Sequence, residues 1–210
     1  MLVILRPIIL NHVNKKPMRG LSTFLFVVFA NTAFAQSFDT SDTHNVKWQQ
    51  GPLTVDNFHV VDTKEKNPDS THYGAFATGR VPYRYSYRQN HLVFWIQTYF
   101  DYGYSWMQKK EVKNRHVLNH AQRHFDLLEI EARNFAKVLR TYPFTDNFQN
   151  EIPLIYKSVV EDMKRMFKLY DERTKQGRNS EDQKAWDAKI DEYLHTLPAV
   201  DGIPVEIDVQ

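Results

Sequence analysis

Three histidines, His116, His120 and His124, stand four residues apart in the run Arg115-His-Val-Leu-Asn-His-Ala-Gln-Arg-His-Phe-Asp126. On a helix, each step of four turns about 40° around the axis and rises about 6 Å, so neighbouring imidazoles can share one ligand. Two histidines at that spacing form the usual helical half of a zinc site. Three cannot reach one ion from a straight helix, because the outer pair are about 12 Å apart along the axis. His120 and His124 are the better pair, since His124 lies nearest the apolar stripe of the same helix. Spacing alone also fits ordinary polar-face or half-buried histidines.

In the metalloprotease pattern H-E-x-x-H, the glutamate beside the first ligand moves the proton of metal-bound water. Here that position is Ala121, which can neither accept nor donate a proton. Asp126 and Glu129 point about 120–180° away from His120, and Glu131 lies about 10 Å further along the axis than His124. The local residues therefore describe half a metal site without its base.

The elements that must carry this ladder read as antiparallel strands first and three main helices afterwards, an α+β arrangement. Leu53–Val61, Tyr73–Gly79, Val81–Arg88 and His91–Tyr104 have strand composition, with a polar loop over 63–70 and a hairpin turn at Arg88-Gln-Asn90. Tyr83, Tyr85 and Tyr87 share one strand face, expected to pack, and Arg84 and Arg88 the other. From Lys109 to Tyr142, Val117, Ala121, Phe125, Leu128, Ala132, Phe135 and Leu139 recur at helical spacing, and Pro143 stops the helix. A second helix is expected from near Asn147 to Lys175, ended by Gly177. A third runs over 181–197, opened by a Ser180/Gln183 capping box, and 203–209 returns as an edge strand.

Composition bounds the function. The chain of 210 residues has 27 Lys+Arg, 25 Asp+Glu, 9 His, 7 Gly and no Cys. Without cysteine there is no disulfide scaffold, thiolate zinc site, iron–sulfur cluster or thiol nucleophile. No glycine-rich phosphate loop is present. Residues 1–35 carry Arg6, Lys15, Lys16 and Arg19, no acid, the apolar run Leu21–Ala30 and a small-x-small site at Ala33-Phe34-Ala35. That order is a secretory signal, with Met18 a possible true start and cleavage expected after Ala35. Its apolar core is about half of what a membrane span needs. Residues 36–46 read as a flexible leader and 47–210 as one domain, soluble in a periplasm or outside the cell. Losing residues 1–35 removes four basic residues and no acidic one, leaving 23 against 25. A net charge of −2 speaks against nucleic acid; a protein or peptide partner is the expected class, and oligomeric state is not set.

Around the histidines the chain resembles a family of exported bacterial zinc-protease-like proteins, catalogued as the domain of unknown function nine-twenty-two. Its central motif reads roughly H-E-Q-x-H-F-D-[IL]-x-E-x-x-A-R. His120, Gln122, His124, Phe125, Asp126, Leu127, Glu129, Ala132 and Arg133 match it, and Ala121 departs. Ser105-Trp106 is similar to the family's Ser-Trp pair, and Leu53-Thr-Val-Asp-Asn-Phe58 to its early L-T-W-x-D-F strand. Tyr170-Asp-Glu-Arg-Thr-Lys-Gln-Gly177, with Gln183 and Trp186 beyond, resembles its Y-D-x-x-T-x-H…Q-x-x-W segment. The likeness covers most of 47–195 and implies a zincin-like motif helix with zinc on His120 and His124. It also implies a third ligand at position 176, where this chain has Gln176, an amide and a poor zinc donor. Departures at both chemical positions predict a zinc-protease-like domain without protease chemistry, with zinc weak or absent, acting by binding or structurally. The alternative is an active zinc metallopeptidase using His120 and His124, with base and third ligand from elsewhere. A third reading is a metal-binding module on the His116/His120/His124 ladder.

Overall fold

The computed structural model describes residues 45–62 and 74–209. The expected signal segment, nearly all of the expected leader and the expected polar loop over 63–70 lie outside the described residues. In chain order come β1 (Val46–Lys47), β2 (His59–Val61), β3 (Ala75–Phe76), β4 (Gly79–Arg80), β5 (Tyr83–Arg88), β6 (His91–Ile96), β7 (Tyr99–Phe100) and β8 (Trp106–Gln108). Three long helices follow, α1 (Arg115–Thr141), α2 (Phe148–Thr174) and α3 (Ser180–Thr196), and then β9 (Val205–Asp208). The α+β class expected from the sequence is the one observed.

The strand region is more broken than its composition suggests. Among the described residues it makes three three-stranded sheets, ordered β1-β7-β4, β2-β8-β3 and β5-β6-β9. The Leu53–Val61 strand is corrected to its last three residues, because Val55–Asn57 form a 3-10 turn. Thr54 opens that turn, its backbone N–H donating to the Asn57 side chain at 2.7 Å. One ladder, β2 on β8, is parallel, against the antiparallel pairing expected throughout. Ser105 staples the irregular stretch: its hydroxyl donates to the Asp101 carbonyl at 2.6 Å and accepts from the Thr78 N–H at 3.1 Å. Gly79 is needed where the sheet meets α1, because a Cβ there would lie 2.3 Å from the Tyr99 carbonyl oxygen and 2.7 Å from Leu128.

The hairpin β5–β6 turns through Gln89 and Asn90, both left-handed, as a two-residue hairpin turn requires. Leu92, Phe94 and Ile96 are buried on one face, opposite Tyr87, Tyr85 and Tyr83 in register. The tyrosine stripe packs on the helices: Tyr83 stacks edge-on to Phe135 of α1, and Tyr85 and Tyr87 meet Phe148 of α2. On the outer face Arg84 lies over the Trp95 ring at 4.8 Å. The expected return strand is β9, an edge antiparallel to β6.

Of the α1 stripe, Ala121, Phe125, Leu128, Ala132, Phe135 and Leu139 are all buried, as are Ile155, Val159, Met163, Met166, Phe167 and Tyr170 of α2. Helix α1 starts later than Lys109, because 109–111 form a 3-10 turn and Asn114 supplies the cap, accepting from the His116 N–H at 3.1 Å. The Ser180/Gln183 capping box is likewise corrected. Asn179 caps α3, and Gln183 is buried and points elsewhere. No helix among the described residues is long and apolar enough to cross a membrane.

Candidate metal centre

Helices α1 and α2 pack side by side, and the histidine pair faces α2 at the level of Asp171. His120 Nε2 is 3.0 Å and His124 Nε2 is 2.8 Å from the same Asp171 oxygen, Oδ1. These three donors lie within 4.8 Å of one another. Two imidazole nitrogens and a carboxylate oxygen are a donor set suited to zinc. Bonds of about 2.0–2.1 Å from a tetrahedral zinc place donors about 3.3 Å apart. The observed separations to Asp171 need open by only a few tenths of an ångström to admit the ion, while the two imidazole nitrogens, which set the 4.8 Å spread of the donors, would have to draw together.

The centre is walled by aromatics. Tyr170 stacks on His120 with ring centroids 4.6 Å apart and meets His124 edge-on at 5.0 Å, where Phe167 also abuts it. His124 is only 8% exposed. Burial drives the His120 pKa down, against the opposing pull of Asp171. For Asp171, burial works to raise the pKa, but His124 and His120 together outweigh it and hold the carboxyl below its usual range. Burial thereby favours the neutral His120 that a metal ligand needs.

The turn after α2 closes over this centre. Lys175, Gln176 and Gly177 are all left-handed, and the Gln176 N–H donates to the Asp171 carbonyl at 3.0 Å. Thr174 is fully buried, its hydroxyl donating to the Tyr170 carbonyl and accepting from the Gly177 N–H. A Cβ on Gly177 would lie 3.0 Å from His120 Cβ, so glycine lets the backbone lie against the histidine.

Position by position, the structure redistributes the expected site. His120 and His124 come together, and Asp171 stands as the third donor. Gln176 instead lines a neighbouring cavity of about 320 Å³ with the exposed His116 and Arg178 and the half-buried Glu111. Ala121 is buried within the hydrophobic core. Asp126 and Glu129 are engaged elsewhere. Asp126 accepts from Trp48 Nε1 at 2.9 Å, Gln122 Nε2 at 2.8 Å and Arg123 at 3.0 Å. Glu129 pairs with Arg133, which also donates to the Leu194 and Leu197 carbonyls at the end of α3. Asp171 was the residue missed. The signal was present, because it follows Met163 and Phe167 at intervals of four and so extends the buried face of α2.

No family model matches the chain, and neither does any curated protein or solved structure.

Proposed function

We propose that this chain is an exported, zinc-protease-like domain, a non-catalytic member of the family catalogued as domain of unknown function nine-twenty-two, that binds one zinc ion between α1 and α2. The observation that carries the metal reading is the convergence of His120, His124 and Asp171 from two helices onto one point. The ion would cross-link the two longest helices, and its role is structural or in binding.

The family reading is supported by the work its motif residues do here. Gln122 accepts from the Leu53 N–H at 2.7 Å while donating to Asp126. Asp126 gathers Trp48 and Arg123, and Arg133 ties α1 to the end of α3. A resemblance built on surface coincidences would not fall on residues with such jobs. The absence of peptidase chemistry rests on Ala121, since without an acid beside the first ligand no group at that position can activate water.

The three-donor set also supports a second reading, a metallohydrolase, because catalytic zinc sites keep three protein ligands and one open position. Metal analysis and a protease assay on the purified mature protein separate the two. One zinc per chain, removable by chelator, with no cleavage of casein is the expected result. A chain that takes up no zinc at neutral pH overturns the metal reading. Casein cleavage that a chelator stops and His124→Ala abolishes would establish the hydrolase instead.

A further inference from the structure

One face of the sheet β5-β6-β9 packs on the helices, with Leu92, Phe94 and Ile96 of β6 and Val205 and Ile207 of β9 buried beneath it. On the other face the register sets side chains in cross-strand rows. Arg88, His91 and Asp208 form one row, Ser86, Val93 and Glu206 the next, and Arg84 and Trp95 begin a third. Arg84, Ser86, Arg88, His91, Glu206 and Asp208 are exposed, and Val93 and Trp95 are half-buried. Charge is therefore sorted by strand. The β5 edge carries two arginines and the β9 edge two carboxylates. Between them lie Val93 and Trp95, the latter under Arg84 at 4.8 Å. His91 leans to the acidic side, its Nδ1 2.6 Å from Asp208 Oδ1.

We infer that this face is a self-docking surface, on which a second copy of the chain stacks about a twofold axis running along β6. Stacked sheets lie about 10 Å apart with their strands within about 30° of each other. A twofold axis between them can run along the strands or across them. Across the strands it sets β5 over β5 and β9 over β9, arginine on arginine and carboxylate on carboxylate. Along β6 it exchanges the edges, so that Arg88 of each copy falls opposite Asp208 of the other. Glu206 then lies opposite Ser86, between Arg84 and Arg88. Val93 and Trp95 meet their own counterparts on the axis, which buries apolar surface. Charge thus selects one of the two stackings, and an isologous contact of this kind closes at two copies. The face is about 14 Å by 20 Å. That is below the about 800 Å² per partner of a standard interface, so the dimer belongs to the weak, transient class. Nothing in this contact involves the metal centre between α1 and α2.

Sedimentation equilibrium of the mature protein at low ionic strength, up to about 1 mM, should show a monomer–dimer equilibrium. Added salt should weaken it, because exposed charge pairs are screened. Arg84→Glu with Arg88→Glu, or Glu206→Lys with Asp208→Lys, should each weaken self-association at least about tenfold. Circular dichroism checks that both variants are folded. An equimolar mixture of the two should regain a dimer, now a heterodimer, because unlike charges face each other again along both edges. If one variant does not fold, wild type and the other variant still decide. A wild type that stays monomeric overturns the inference, as does self-association that neither pair of changes weakens. Growth past the dimer also overturns it, because β5 and β9 of successive copies would then be joining edge to edge in an open array. Two folded, monomeric variants that do not combine overturn the twofold placement.

Discussion

Asp171 is the single side chain on which both histidines converge, so its replacement tests the centre most directly. Asp171→Asn keeps the size of the side chain and removes the anionic donor. Zinc affinity should fall by more than the 10–100-fold typical of a supporting residue, read by competition with a chromogenic chelator. Arg133 makes a different kind of prediction. It is 5% exposed, pairs with the fully buried Glu129 and lies over the Trp48 ring at 5.1 Å. Arg133→Ala strands a buried carboxylate, and breaking such a pair costs about 3–5 kcal/mol. The double change Glu129→Leu with Arg133→Met should regain much of that in urea denaturation. If the double variant is no more stable than Arg133→Ala, the buried ion pair is not what the single change breaks.

At the scale of elements, the turn between α2 and α3 holds the centre closed at a conformational cost. Left-handed backbone costs about 1–2 kcal/mol for a residue with a side chain, and two of the three turn residues carry one. Lys175 is exposed, so Lys175→Gly should stabilise the domain by about 1 kcal/mol, seen as a higher urea midpoint with zinc stoichiometry unchanged. A lower midpoint would mean that the lysine stem contributes packing that outweighs its strain. Gln176→His, by contrast, adds an imidazole to the side cavity rather than to the cluster, and should leave zinc stoichiometry where it was.

For the whole molecule, the contact of α1 with α2 sets a pH response. Glu131 is buried between these helices, near Asn134 on its own helix and Asp162 and Arg165 on α2; burial, reinforced by Asp162, raises its pKa from 4.5 to about 7. The folded state therefore binds a proton more tightly than the unfolded chain. Its stabilising contribution is fully present below pH 4.5 and is lost as pH rises through about 7, a difference on the order of 3 kcal/mol. Glu131→Gln should flatten urea stability between pH 5 and pH 8, approximately, and make the protein more stable than wild type at the upper end. A wild-type curve that does not fall across this window would contradict the burial of an ionising Glu131.

The helices were legible in the sequence because periodicity records burial one residue at a time. The stripes from Ala121 to Leu139 and from Ile155 to Tyr170 needed only the 3.6-residue repeat. The tyrosine stripe of β5 follows a repeat of two and meets Phe135 and Phe148 with its ring faces and edges, although Tyr85 and Tyr87 stay exposed. The strand region is less regular than its composition suggests: the parallel β2–β8 ladder depends on distant partners such as Ser105 and Trp106, and the 3-10 turn at Val55 is a local Thr54–Asn57 closure within a strand-like composition. Likewise, the His120/His124 pair could be found from spacing on one helix, along with the missing base at Ala121. Asp171 could not be assigned in that way, because it is 47 residues distant in sequence from His124. Sequence alone determined which face of α1 could bind a metal and that no acid accompanies it. Only tertiary packing decided which side chain of another helix meets that face, since Asp171 is brought to both histidines by the way α2 lies against α1.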